Sequence, residues 1–199
     1  MRGRALEVGP WASLRLICHC VDCQTFGRYL QAQGYQGLPL DDWGGTEIVQ
    51  LPHGRIELEE GAEQLACVRL SPNGLMRWYA GCCHTPIANT LAHAKLPFAG
   101  LILSFVGVEL GAGERDELLG PVRARVNGKP ELMGPSAPPV SSFPLGVILR
   151  SIRILMGGWV RREHWPTPFF DAEGEPRGAV KVLDEEERER LRGEILGVG

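Results

Sequence analysis

Lysine is almost missing from this chain. Only 3 of its 21 basic residues are Lys (Lys95, Lys129, Lys181) and 18 are Arg, a bias that reads as GC-rich coding rather than as Arg-specific recognition of anions. Excess positive charge is missing too. The 21 basic and 24 acidic residues leave a formal charge of −3 and a pI near 6.0, so no basic field awaits a phosphate backbone and nucleic acid is not an expected partner. No apolar run reaches the ~20 residues that span a bilayer. The most hydrophobic stretch, residues 140–160, is broken by Pro144, Arg150 and Arg153, and a membrane is not an expected partner either. Residues 1–10 carry charge with no apolar core behind them, so no secretory signal is expected and the expected compartment is cytoplasmic. Internal repeats are lacking.

With 44% apolar and 23% charged residues, the 199-residue chain has the composition of one globular domain with appendages. From Leu14 to about Val108, short apolar or alternating runs separated by Gly, Pro, Asn and Asp predict strands. Residues 46–51 and 55–58 flank a Pro-His-Gly turn. Residues 65–70 and 75–80 flank Ser71-Pro-Asn-Gly74 and make the stronger hairpin, since Pro72 presets one turn dihedral and Asn73-Gly74 tolerates positive φ. Gly100–Leu110 reads as one long strand covered on both faces, and residues 23–33 as a short helix.

Beyond about Gly111 the chain becomes dense in Gly and Pro. Pro144 can open a helix running through Met156, with 148, 149, 152, 155 and 156 on one apolar face packed on the domain, Arg150 and Arg153 on a solvated face, and Gly157-Gly158 as its stop; the alternative is a membrane-surface helix. Residues 171–199 carry nine acids and five bases. Asp184 and Glu187 resemble a capping box opening a solvated helix, in which Glu186 and Arg190 are spaced to pair. The expected division is 1–110 as a zinc-binding β domain and 111–199 as a helical extension packed on it.

The sharpest feature is Cys18-x-Cys20-x-x-Cys23, three thiols in six residues. Chance produces this spacing roughly 0.005 times in a chain of this composition. A tight turn carrying it aims three sulfurs at one point, and Zn²⁺ accepts thiolates in tetrahedral geometry, which leaves one position open. Three thiolates blunt the metal's Lewis acidity and favour a soft fourth ligand such as an incoming thiol, so the site suits thiol chemistry better than ester or peptide hydrolysis. The alternatives are a closed site completed by Cys83, His19 or His84, and reduced thiols without metal. Adjacent Cys82 and Cys83 point to opposite faces of any strand and do not converge unaided. Cys67 reads as a small core hydrophobe. Asp22 and His19 are acid–base candidates by adjacency alone.

Taken with Arg77-Trp-Tyr-Ala-Gly-Cys82-Cys83-His-Thr-Pro86, the cysteine run resembles the family of glutathione-dependent formaldehyde-activating enzymes. Asp22-Cys-Gln-x-Phe26, Gly44-Gly-Thr-Glu-Ile48, Thr85-Pro-x-x-Asn-Thr90 and Pro168-Phe-Phe-Asp171 bring it closest to an uncharacterised bacterial branch. The resemblance implies a mainly β, Mss4-like fold of small twisted antiparallel sheets around zinc, with Cys18, Cys20 and Cys23 matching the catalytic-zinc ligands. The family's second, structural zinc is not expected here. No cysteine precedes Cys18, and the later pair survives only as Cys83, with Ala80 in its partner's place. Trp11, Trp78 and the C-terminal extension are the candidates to offset that loss by packing.

The expected function is therefore a zinc-dependent carbon–sulfur lyase-like enzyme joining a glutathione-type thiol to a small aldehyde, with Arg77 and Arg28 as candidates for the thiol's carboxylates. The alternative is a non-catalytic zinc-binding module.

Overall fold

The computed structural model describes residues 1–196 except 7, 10, 38, 107–111, 130–132, 134, 135 and 141, and no side-chain detail for 106 and 112. Its strands are β1 (Arg2–Ala5), β2 (Leu14–Cys18), β3 (Thr46–Leu51), β4 (Ile56–Glu60), β5 (Leu65–Arg69), β6 (Met76–Ala80), β7 (Pro86–Thr90), β8 (Ala99–Ile102), β9 (Arg125–Val126) and β10 (Ala179–Val182). The mainly β expectation holds. Most strands gather into one eight-stranded mixed sheet of order β10-β5-β6-β7-β8-β3-β2-β9, while β1 and β4 form a separate ribbon. Its centre is antiparallel and both edge strands, β10 on β5 and β9 on β2, are parallel to their neighbours.

The β5–β6 hairpin forms across the Ser71–Gly74 turn as its residues predict. The first expected hairpin does not. His53–Arg55 forms a 3₁₀ turn that sends β4 away to pair with β1, leaving β3 between β2 and β8. The expected strand through Gly100–Leu110 is also shorter: β8 ends at Ile102 and the chain turns into α2 (Leu103–Val106), while residues 107–110 lie outside the described residues.

Apolar residues of alternating parity cover the sheet on both faces. Val49, Leu51, Trp78 and Leu101 enter the main core, while Val68 and Ile102 face a second cluster with Phe26, Tyr29 and Leu30 of α1 (Val21–Ala32). The main core is closed by the C-terminal region, since Phe169 and Phe170 are fully buried with ring centroids 5.2 and 5.9 Å from Trp78. Residues beyond 111 thus complete the sheet and core, rather than only packing outside them. Trp11 makes no such contribution, being 76% exposed.

Three further helices follow: α3 (Ala112–Leu119), α4 (Leu145–Val160) and α5 (Glu185–Leu196). Buried Arg15 of β2 bonds Glu47, Asp116 at 2.6 Å and the Gly120 carbonyl at 2.9 Å, tying α3 to the sheet. Asp184 caps α5 by accepting from the Glu187 amide at 2.7 Å, and Arg190 pairs forward with Glu194 at 2.9 Å. In α4, Pro144 is the cap rather than a first-turn residue, and the helix runs through Gly157-Gly158 to Val160. Gly158 is needed inside it because an added Cβ would lie 2.7 Å from Pro52. Moreover, α4 buries Val147, Ile154 and Gly158. The apolar row expected inside faces outward: Ile148, Leu149, Ile152 and Met156 are exposed, while Arg150 reaches back to the Ser13 carbonyl at 2.7 Å.

His53 is fully buried, and its Nε2 lies 3.1 and 3.0 Å from the carbonyls of Ala94 and Leu96, an arrangement that a neutral Nε2–H ring satisfies by donating to both. Burial pushes its pKa from about 6.5 down to about 4, against those two hydrogen bonds. Between these values the unfolded chain binds a proton that the folded one refuses, so stability rises with pH. His53 therefore contributes fully above about 6.5, and on the order of 3 kcal/mol is lost as pH falls to about 4. His53→Gln is expected to flatten the acid limb of stability against pH, measured by denaturant unfolding. Phe169→Ala is expected to cost about 3–5 kcal/mol, read in the same experiment at neutral pH.

Candidate metal centre

Cys18 ends β2, Cys20 caps α1 and Cys23 lies in its first turn. At the cap, Cys20 does what Ser or Asp commonly does, its Sγ accepting from the Cys23 amide at 3.4 Å. The Cys20 carbonyl accepts from the amides of Cys23 and Gln24 at 3.0 and 3.2 Å. One strand-to-helix turn thereby brings three sulfurs within 4.8 Å of one another. Cys18 and Cys23 are buried and Cys20 is partly exposed, so access to the cluster is by way of Cys20. The N-terminal end of α1 favours negative charge there.

Distant residues hold this turn. Parallel pairing of β9 with β2 places Val126 beside Cys18, and the His19 amide donates to the Val126 carbonyl at 2.9 Å. The chain leaves β9 through Asn127 at φ 59°, and Asn127 Nδ2 donates to Cys18 Sγ at 3.7 Å. Gln24 Nε2 donates to the His19 carbonyl at 3.0 Å. Gly45 must lack a side chain, since a Cβ would come within 2.5 Å of both His19 and Ile17.

Three thiols this close do not titrate independently. The neighbouring thiols of Cys20 and Cys23 donate to Cys18 and lower its pKa to about 3, while burial opposes. Cys20 is raised by its bond to Cys18, and Cys23 is raised further by Cys18, by Cys20 and by burial. The cluster thus favours one negative charge and two retained protons, which a dication would replace. An all-sulfur set suits a soft or borderline metal such as zinc and not magnesium or calcium.

The other sequence candidates stand elsewhere. Cys82 and Cys83 lie in the exposed turn after β6, with Cys83 Sγ 3.2 Å from Thr85 Oγ1, and Cys83 is not among the converging sulfurs. Its thiol is lowered: burial raises it, but the Thr85 hydrogen bonds, Cys82 and the N-terminal ammonium outweigh that. His84 stacks on Tyr79. His19 is buried beside the cluster, with Nδ1 3.2 Å from the Trp43 carbonyl and Nε2 3.5 Å from the Arg125 guanidinium. Asp22 is paired with Arg192 at 2.6 Å and lies 3.9 Å from Arg77. Arg77 is buried against Asn89 and the Phe26 ring, and Arg28 is exposed on α1. Cys67 is buried as expected, its pKa raised to about 12 by burial.

Sequence reasoning missed Asn127 and Arg125, about a hundred residues from the cysteines. The Asn127-Gly128 pair was the available signal, marking a turn that tolerates positive φ. Ile17 and Arg125 also line a cavity of about 370 Å³ with Asp41, Trp43, Ser104 and Arg115. Arg125 pairs with Asp41 at 2.8 Å over the Trp43 ring, and Glu47 at the same wall is held by Arg15. Arg115 Nε and Ser104 Oγ are buried without a hydrogen-bond partner among the described residues.

Fold and site together define a mixed-sheet protein with a three-cysteine cluster able to hold a metal ion. The chain belongs to DUF6151, a family of unknown function, whose model matches residues 2–181. No curated protein and no solved structure matches it.

Protein purified without added metal and analysed for elements is expected to carry about one zinc per chain, lost in Cys20→Ser. Because the ligands bind metal as thiolates, acid should release it, with affinity falling as pH drops. Asn127→Gly keeps the backbone angle and removes the amide donor to Cys18. It is expected to weaken metal affinity about tenfold, measured by chelator competition, with the fold intact.

Proposed function

We propose that this protein is a zinc-dependent carbon–sulfur lyase-like enzyme that joins and separates a glutathione-type thiol and a small aldehyde. The observation that carries the reading is the convergence of Cys18, Cys20 and Cys23 with no fourth His, Cys, Asp or Glu ligand atom among the described residues of the cluster. Their sulfurs would hold zinc and leave a position for a substrate sulfur. Bound there, zinc would lower the pKa of a substrate thiol and keep it as thiolate near neutral pH. In the net reaction a sulfur–carbon bond forms, the carbonyl π bond opens, and the thiol proton ends on the new hydroxyl; the reverse regenerates both partners.

The chain's own residues would orient this chemistry. Asn127 fixes Cys18 from one side and the capped turn of α1 fixes Cys20 and Cys23 from the other. The cavity next to Ile17 offers Arg115 and Ser104 to a carboxylate-bearing part of the thiol, since both present buried donors with no partner among the described residues. Ile17 and Cys18 point to opposite faces of β2, so a ligand reaching both must pass the strand's end at His19. The resemblance of the cysteine run to the formaldehyde-activating enzymes supports the same substrate pair.

The test is exchange between glutathione, formaldehyde and their S-hydroxymethyl adduct, followed by NMR with zinc-loaded protein. Exchange should rise above the buffer rate, vanish in Cys20→Ser, and require about tenfold more glutathione in Arg115→Ala at unchanged maximal rate. A buffer-level rate at full zinc occupancy would replace the enzyme by a non-catalytic zinc-binding module. Cys83→Ser then separates the site types: retained metal means an open three-cysteine site, lost metal a closed one.

A further inference from the structure

We propose that the outward face of α4 is a docking surface for an anionic membrane, on which the helix lies without crossing. The helix is held to β2 and β3 by its narrow row of Val147, Ile154 and Gly158, and its broad apolar row is left uncovered among the described residues. Leu149, Ile152, Met156 and Trp159 are each half or more exposed (58, 50, 55 and 54%), a contiguous patch of the kind that marks an interaction site. Beside it runs an apolar groove of about 460 Å³ lined by Leu96, Phe98, Ile152, Leu155, Met156 and Trp159.

Charge around this patch decides between occupants. From residue 132 to 162 the chain holds four arginines (Arg150, Arg153, Arg161, Arg162) and no Asp or Glu. Arg123 and Arg153 stand near enough to Arg150 that, after burial, their like charge lowers its pKa. A cleft of about 540 Å³ along the flank of α4 has Trp11, Arg55, Arg153 and Arg161 in its walls, and Glu163 pairs with Arg55 and Arg161 there. Three tryptophans, Trp11, Trp159 and Trp165, are exposed on and around the helix, and indoles favour the boundary between headgroups and acyl chains. In a two-fold dimer the patch would meet itself, bringing the arginine-bearing flanks of two copies together, with Glu163 already paired to Arg55 and Arg161 of its own chain. Anionic headgroups complement the same layout directly.

The interruption of the apolar run by Arg150 and Arg153 rules out a spanning segment but is what a helix in the interface plane requires. At 16 residues α4 is about 24 Å long, shorter than the ~30 Å hydrocarbon core, and no described helix is long and apolar enough to cross a membrane.

The experiment is sedimentation of the full chain with vesicles of phosphatidylcholine, with or without about one-third phosphatidylglycerol, paired with light scattering of the protein alone. Retention on the anionic vesicles should exceed that on neutral ones at least about tenfold and fall sharply in about 0.5 M salt. Tryptophan emission should shift to the blue on binding. Ile152→Glu and Leu149→Glu replace exposed side chains, so thermal unfolding and zinc content should be unchanged while retention is lost. Arg153→Glu should lose most of the anionic preference. Absence of retention, or equal retention on both vesicles, overturns the proposal. So does a dimer that Ile152→Glu dissociates without any vesicle binding, which would assign the face to a second copy of the chain.

Discussion

Three thiolates cannot share a volume a few ångströms across unless protons or a cation lie between them, and the end of β2 is built around that constraint. Cys18 is fixed by the sheet, Cys20 and Cys23 by the first turn of α1, and the two elements meet at one short turn. Because a strand and a helix N-terminus are both rigid, the sulfurs converge without ordering a loop at the moment of binding. That arrangement favours a metal thermodynamically, since most of the conformational entropy has already been given up in folding.

The same turn draws on the rest of the chain. Parallel pairing of β9 with β2 brings Asn127 to Cys18 and Arg125 to His19, and the antiparallel partner β3 starts directly after Gly45, which passes close to His19 and Ile17. Asp22, between two of the cysteines, is anchored to Arg192 of α5 and lies close to buried Arg77 of β6. The chain beyond residue 111 therefore supports the site at both of its sides, and through Phe169 and Phe170 it completes the main core against Trp78. A family whose model reaches residue 181 fits this dependence: residues beyond 111 are structural members of one sheet.

Much was legible from the residues alone. The Cys-x-Cys-x-x-Cys run located the cluster that could hold a metal because three sulfurs within six positions need only a local turn to converge. Strands β3, β5 and β6, the β5–β6 hairpin, α1 and the Asp184 cap were readable for the same reason: period-2 alternation, Pro72 with Asn73-Gly74, and a capping residue act within a few positions. The failures share a different cause. His53–Arg55 looked like a hairpin turn, yet β4 found its partner fifty residues back in β1. The run after Ile102 looked like a strand because its apolar residues carry no period that separates a strand from a short buried helix.

The clearest division lies between Cys20 and α4. Sequence by itself determined that three thiols would meet, that Cys67 would be buried, and that an amphipathic helix would run from about Pro144 through Met156, because each depends on neighbours in the chain. It did not determine which face of α4 would be inside. A helical period counts apolar residues but not the space available, and the close approach to Pro52 admitted the row containing Gly158 while excluding the bulkier Leu149–Ile152–Met156 row. Only the tertiary structure decided that, together with the joining of Asn127 to Cys18, since both rest on distances between segments a hundred residues apart that no local pattern encodes.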